Sequence, residues 1–148
     1  MAARGKPAFK TTLLVRDACL CLHLQRAARA LARRFDDGLR PLGLTNGQFS
    51  LLMSLNRSVP PGIGDVASLL RMDRTTLTAA LKPLKRRGLV RVKADAEDRR
   101  GRRMLLTERG KTLLASAVPV WKRLHASLEK NMRDGEPDHL RKLLRALS

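Results

Sequence analysis

Two short amphipathic stretches between residues 64 and 87 are separated by only Met72 and Asp73, a joint so brief that the two can pack in few ways. Val66, Leu69 and Leu70 give the first stretch, about Gly64 to Arg71, one apolar side. Leu77, Leu81 and Leu84 do the same for the second, about Arg74 to Arg87, whose start Asp73 can cap by accepting from free amides. Gly88 closes it. Helices joined this tightly form a helix-turn-helix, an arrangement that lays its second helix in the major groove of duplex DNA.

The residues that follow extend the unit. Leu89-Val90-Arg91-Val92-Lys93 alternates apolar and basic side chains as a half-buried strand does, and Arg103-Met104-Leu105-Leu106-Thr107 can return antiparallel to it. Ala94 to Arg102 makes a charged turn, with Gly101 allowing tight geometry. The sum is a winged helix. Upstream, Thr45-Asn46-Gly47-Gln48 has the capping-box spacing and predicts a helix from about Asn46 to Asn56 that buries Phe49, Leu52, Met53 and Leu55. Ser58-Val59-Pro60-Pro61-Gly62 stops it.

Helical periodicity also marks both flanks. Residues 1–11, with Arg4, Gly5, Lys6, Pro7 and Lys10, read as a disordered or partner-clasping arm. From about Thr12 to Leu39, Leu13, Leu20, Leu24, Ala27, Ala28, Leu31 and Phe35 define one face of a single long helix. Arg26, Arg29, Arg33 and Arg34 line the other side, and Asp36, Gly38 and Pro41 mark its end. A further helix, about Glu108 to Met132, carries Leu113, Leu114, Ala117, Val120, Trp121, Leu124 and Leu128, with a bend expected at Pro119. A last short helix after Pro137 presents Leu140, Leu143, Leu144 and Leu147.

The expected fold is therefore mainly α with a small β-hairpin wing, as a single domain over 1–148. It comprises an arm and dimerisation helix (1–40), a winged helix-turn-helix (45–107) and C-terminal dimerisation helices (108–148). One small module cannot easily cover three amphipathic terminal helices. Leu13, Leu20, Leu124, Leu128, Leu140, Leu143, Leu144 and Leu147 are thus expected to meet a second copy in a twofold homodimer. That arrangement would set two recognition helices about 34–36 Å apart, matching a palindromic site.

Charge narrows the partner. Lys and Arg number 31 against 13 Asp and Glu, a formal net charge of +18 that concentrates polyanions. With three Phe, one Trp and no Tyr, the chain has few rings on which to stack unpaired bases, which favours double-stranded DNA over single strands. No cysteine or histidine spacing suits zinc, no run is long enough for a membrane helix, and no signal peptide is recognisable, so the reading is cytoplasmic with no metal or cofactor. His23, His125 and His139 are scattered. No phosphate loop or serine elbow is present, and Asp95, Glu97 and Asp98 read as turn residues flanked by arginines, so an enzyme is not expected.

Within the module, Arg74, Thr75, Thr76, Thr78 and Lys82 are the candidates for the major groove. Lys85, Arg86, Arg87 and Arg103 are candidate phosphate contacts; Arg91 and Lys93 add charge nearby. Pro83 lies well inside the recognition helix and leaves the Ala79 carbonyl without its usual donor, predicting a bend or a helix held by packing.

The run Asp98-Arg99-Arg100-Gly101-Arg102-Arg103-Met104-Leu105-Leu106-Thr107-Glu108-Arg109-Gly110 resembles the wing signature of the MarR family of bacterial transcription regulators, including its Leu-Thr-x-x-Gly. Arg40-Pro41-Leu42-Gly43-Leu44-Thr45-x-x-Gln48-Phe49 and Leu84-x-x-x-Gly88-Leu89-Val90 are similar to two further family segments. The resemblance implies a homodimeric regulator, most often a repressor, that grips a palindromic operator and responds to a small-molecule or redox effector. It also implies a wing arginine in the minor groove held by a nearby acid: Arg100 positioned by Asp98, with Arg99 beside it and Arg102 as second choice. An architectural protein that coats DNA without sequence preference is the competing reading of the charge.

Cys19 and Cys21 invite comparison with the hydroperoxide-sensing branch of that family, whose reactive cysteine lies in the first helix, although the tyrosines typical of that branch are missing here. Two positions apart on a continuous helix, the two thiols would point to different sides, making a Cys19–Cys21 bridge geometrically poor and packed, inert cysteines the expectation.

Overall fold

A computed structural model describes residues 5–148; residues 1–4 of the expected arm lie outside the described residues. The chain forms two compact units, one up to Arg34 and the other from Phe35 to Ser148.

In the first unit, α1 spans Phe9–Ala18 and α2 begins at Leu20, running on to Leu39. Helix therefore starts inside the expected arm, and the single long helix is two. The break is Cys19, whose φ of −73° and ψ of 107° are extended rather than helical. Cys19 still serves both helices: its N–H donates to the Val15 carbonyl at 3.0 Å and its own carbonyl accepts from the His23 N–H at 3.1 Å. Phe9, Leu14, Val15, Leu20, Leu24 and Leu31 remain exposed.

The second unit contains the last turn of α2, a 3₁₀ turn (Arg40–Leu42), α3 (Asn46–Leu55), α4 (Ile63–Leu70), α5 (Arg74–Arg86), β1 (Val90–Ala94), β2 (Arg102–Leu106), α6 (Glu108–Glu129) and α7 (Glu136–Ala146). The helix passes through Gly38 instead of ending there. A Cβ at Gly38 would stand 2.5 Å from Leu124 Cδ1, so this glycine admits the α6 side chain rather than stopping α2. Leu124, expected at a dimer interface, is in this way partly covered within its own chain.

The core is the winged module itself. Leu39, Leu52, Val66, Leu77, Leu84, Leu89 and Met104 are fully buried, each worth about 1.5–3 kcal/mol of transfer free energy. Thr45 and Gln48 form the capping box, with the Gln48 N–H donating to Thr45 Oγ1 and the Thr45 N–H to Gln48 Oε1, both at 3.1 Å. Phe49 of α3 stacks on Trp121 of α6 at 6.3 Å between ring centroids. Helix α5 continues through Pro83, and α6 through Pro119, with Leu81, Leu84 and Ala117 buried beside those prolines. Packing thus offsets the lost backbone bonds.

The β1–β2 hairpin is antiparallel, with Val90 opposite Leu106 and Val92 opposite Met104. A third short partner joins it: the Met104 N–H donates to the Pro61 carbonyl at 3.0 Å, and Gly62 bridges to Arg103. The proline-rich stretch that ends α3 therefore also edges the sheet.

Candidate nucleic-acid interface

Asp73 sets the start of α5. Its carboxylate accepts from both the N–H and the hydroxyl of Thr76, each at 2.7 Å, which holds its pKa below the ordinary carboxylate value. The Thr78 hydroxyl donates to the Arg74 carbonyl at 2.8 Å. Two of the three threonines proposed for base contacts thus direct their hydroxyl protons within the helix and present methyls and oxygen lone pairs outward. Arg74, Thr75, Thr76, Thr78 and Lys82 are all exposed. Ala79, exposed one turn beyond Thr75, shares their surface, though its small apolar side chain gave no cue beyond that helical spacing.

Across from this surface stands the wing. A cleft of about 480 Å³ has Arg74 and Thr78 on its α5 side and Asp98, Arg100 and Arg102 on its wing side, with Gly64 at its floor close to the Arg74 guanidinium. The helix and wing residues singled out from sequence therefore meet at one opening.

The Asp98–Arg100 ion pair is not formed. Asp98 Oδ1 instead accepts from the backbone N–H of Arg100 at 3.0 Å, and the Gly101 N–H donates to the Asp98 carbonyl at 2.9 Å. Residues two apart at the head of a tight turn bring the carboxylate to the amide before it can reach the guanidinium. Asp98 shapes the turn that carries Arg100. Arg102 bends back to the carbonyls of Arg99 and Gly101 at 3.3 and 3.0 Å, while Arg99 and Arg100 point from an exposed tip.

Asp95 makes the ion pair. Its Oδ2 accepts from Arg103 Nε at 2.7 Å and its Oδ1 from the Glu97 N–H at 3.0 Å. Its pKa is lowered, chiefly by the Glu97 amide and further by Arg103. Arg103 also donates to the Pro60 carbonyl at 3.3 Å, so it braces the wing base. Arg87 donates to the Gly43 carbonyl at 2.7 Å, pinning the corner before α3, where Asp36 Oδ1 also accepts from the Asn46 N–H at 2.6 Å. These bracing roles depend on contacts 43 or 44 residues apart in the chain, which sequence spacing does not reveal. Lys85 and Arg86 are exposed at the end of α5.

Comparison with known proteins decides the family. The sequence model of the MarR family matches residues 44–101. The crystal structure of the M. tuberculosis transcriptional regulator MOSR in complex with DNA is 39% identical, with a TM-score of 0.78 over 86% of this chain and 92% of that one. The chain belongs to the MarR family.

Other MarR-family likenesses agree. A cysteine-to-serine mutant of MarR from E. coli, complexed with operator DNA, is 25% identical with a TM-score of 0.82, covering 91% of this chain and 97% of that one. The HTH-type transcriptional regulator TtmR of Methylorubrum extorquens is 33% identical over 66% of this chain and 50% of its own length. Among the curated relatives matched, the chain spans between 50% and 64% of the relative's length. MarR-family members are transcription regulators, not enzymes. Among the described residues no group of His, Cys, Asp or Glu could hold a metal ion, and no helix is long and apolar enough to cross a membrane.

Proposed function

We propose that this MarR-family chain is a cytoplasmic transcription repressor that binds a palindromic operator as a homodimer. The observation that carries the reading is the shared opening between the exposed start of α5 and the arginine-bearing wing tip, on a chain 39% identical to a regulator crystallised with DNA. In this reading Arg74, Thr75, Thr78, Ala79 and Lys82 meet base edges in the major groove and Arg100 enters the minor groove on the turn built by Asp98. Arg99, Arg102, Lys85 and Arg86 meet phosphates; Arg87 and Arg103 act mainly as braces. Dimerisation is supported by the apolar side chains left exposed on α7, namely Leu140, Leu143, Leu144 and Leu147, and by Leu20 and its neighbours on α1 and α2.

A candidate effector site is the apolar groove of about 560 Å³ lined by Phe49, Met53, Leu69 and Trp121, with Lys122 among its lining residues. Trp121 is the chain's one tryptophan, so occupancy of the groove reads out directly as a change in its fluorescence.

Footprinting on the promoter of the protein's own gene tests the central reading. A repressor protects a discrete twofold site and resists competition by random duplex, with affinity falling roughly 10³- to 10⁵-fold between 50 and 200 mM salt for 6–10 phosphate contacts. Uniform protection with equal affinity for random duplex would replace it with an architectural DNA-coating role. Sedimentation of a single chain at assay concentration would reject the dimer.

A further inference from the structure

We propose that Cys19 and Cys21 form a dithiol that a hydroperoxide converts into an intrachain disulfide. The objection to such a bridge is helical: on a continuous helix, side chains two apart diverge by about 200°. That objection does not apply to this chain. Cys19 is the break between α1 and α2, with a ψ of 107°, about 150° from the helical value. Its carbonyl accepts the first backbone bond of α2, from the His23 N–H, which places Cys19 at the N-cap of that helix. An N-cap side chain folds over the amides of the first turn, and Cys21 is the second residue of that turn. Residues two apart at a cap also fall within the Cα separations that disulfides span, and the ring they close needs adjustment only in one terminal helical turn.

The thiols are reachable as well. Cys21 is exposed and Cys19 half-buried, both are free, and free cysteines are more commonly packed away. Gln25 Nε2 donates to Cys21 Sγ at 3.3 Å, a polar contact that an apolar packing site would lack. His23 Nδ1 donates to the Cys19 carbonyl at 2.8 Å, which holds the imidazole at the same junction.

The chemistry balances with the peroxide as sole oxidant. The more exposed Cys21 sulfur, as thiolate, attacks one peroxide oxygen, the O–O bond breaks, and the remaining alkoxide takes up a proton and leaves as alcohol, or as water from hydrogen peroxide. This gives a sulfenic acid at Cys21. The Cys19 sulfur then attacks that sulfur, the S–S bond forms, and the hydroxyl leaves as water with the Cys19 proton. Two thiols are oxidised to one disulfide, and one hydroperoxide is reduced to alcohol and water.

The test is one equivalent of hydrogen peroxide or cumene hydroperoxide added to the full chain, followed by thiol counting and intact and peptide mass measurement. The expected result is loss of both thiols, a mass lower by two hydrogens, one peptide holding residues 19 and 21 crosslinked, and full recovery with dithiothreitol. Cys21→Ser and Cys19→Ser should each keep their circular dichroism spectrum while losing the dithiothreitol-reversible intrachain product. Thiols that stay free, single cysteines that gain oxygen with no crosslink, or a disulfide formed mainly between chains would each overturn the proposal.

Discussion

Replacing Gly110 with Ala tests how α6 is seated on the wing. Gly110 is buried in the first turn of α6, and its N–H donates to the Thr107 cap hydroxyl at 3.0 Å. Its φ is not positive, so backbone conformation alone would accept alanine and helix propensity would favour it by about 0.5–1 kcal/mol. Space decides the other way. A Cβ there would lie 2.2 Å from the Leu89 carbonyl oxygen and 3.1 Å from its carbon. That oxygen contact falls about 1.3 Å inside a normal van der Waals separation, and its partner is backbone, which cannot rotate away as a side-chain tip can. The same Leu89 oxygen accepts from the Thr107 N–H at 3.1 Å, and Thr107 Oγ1 donates to the Gly88 carbonyl at 2.6 Å, so relieving the clash disturbs the seam between α5, β2 and α6. Overpacking of about 1–3 kcal/mol plus about 1 kcal/mol for a weakened hydrogen bond exceeds the propensity gain. The expected net loss is about 1–3 kcal/mol. Urea unfolding at fixed protein concentration, followed by circular dichroism, measures it. A variant equal to or more stable than the parent would show that the seam is loose and that this reasoning is wrong.

Other outcomes follow from the interface. Arg100→Ala should weaken operator binding more than Arg29→Ala in a gel-shift titration, since only Arg100 rides on the wing turn; equal losses would remove Arg100 from the groove. Arg87→Ala should lower stability by about 1 kcal/mol in denaturant unfolding by releasing the Gly43 carbonyl, while changing the salt slope of DNA binding little. Asp73 and Asp95 both have depressed carboxylate pKa values in the folded chain. Their stabilisation is therefore fully present above the unfolded value of about 3.9 and disappears as pH falls through the lower folded values. Asp73→Asn, which keeps a capping side chain but cannot titrate, should flatten the acid side of a stability-against-pH curve; an unchanged slope would mean that Asp73 is not linked to folding.

Periodicity located the winged module within a residue or two because its cues are local. Asp73, the Thr45 and Gln48 box and Gly88 act over a few positions, and the alternation from Leu89 to Lys93 needs only a solvent side and a core side. The break at Cys19 was hidden because no glycine or proline marks it and the apolar spacing runs across it undisturbed. The two prolines were conspicuous yet did not end α5 or α6, since packing around Leu84 and Ala117 outweighs a single missing donor. At the interface, exposure of Arg74, Thr75 and Lys82 followed from the helical wheel. The exchange of partners on the wing did not: Asp95, rather than Asp98, takes the arginine, because hairpin register brings Arg103 back beside Asp95 and adjacency in sequence carries no such information.

The attachment of Met104 and Arg103 to Pro61 and Gly62 has a mechanical consequence. The hairpin is stitched at its base to the loop that launches α4, so wing and probe helix have to travel as one rigid tool with no internal wrist. A half-site lengthened by one base pair between its two groove contacts would defeat that tool outright. Any adjustment to a different gap between half-sites must come from joints beyond the stitched block.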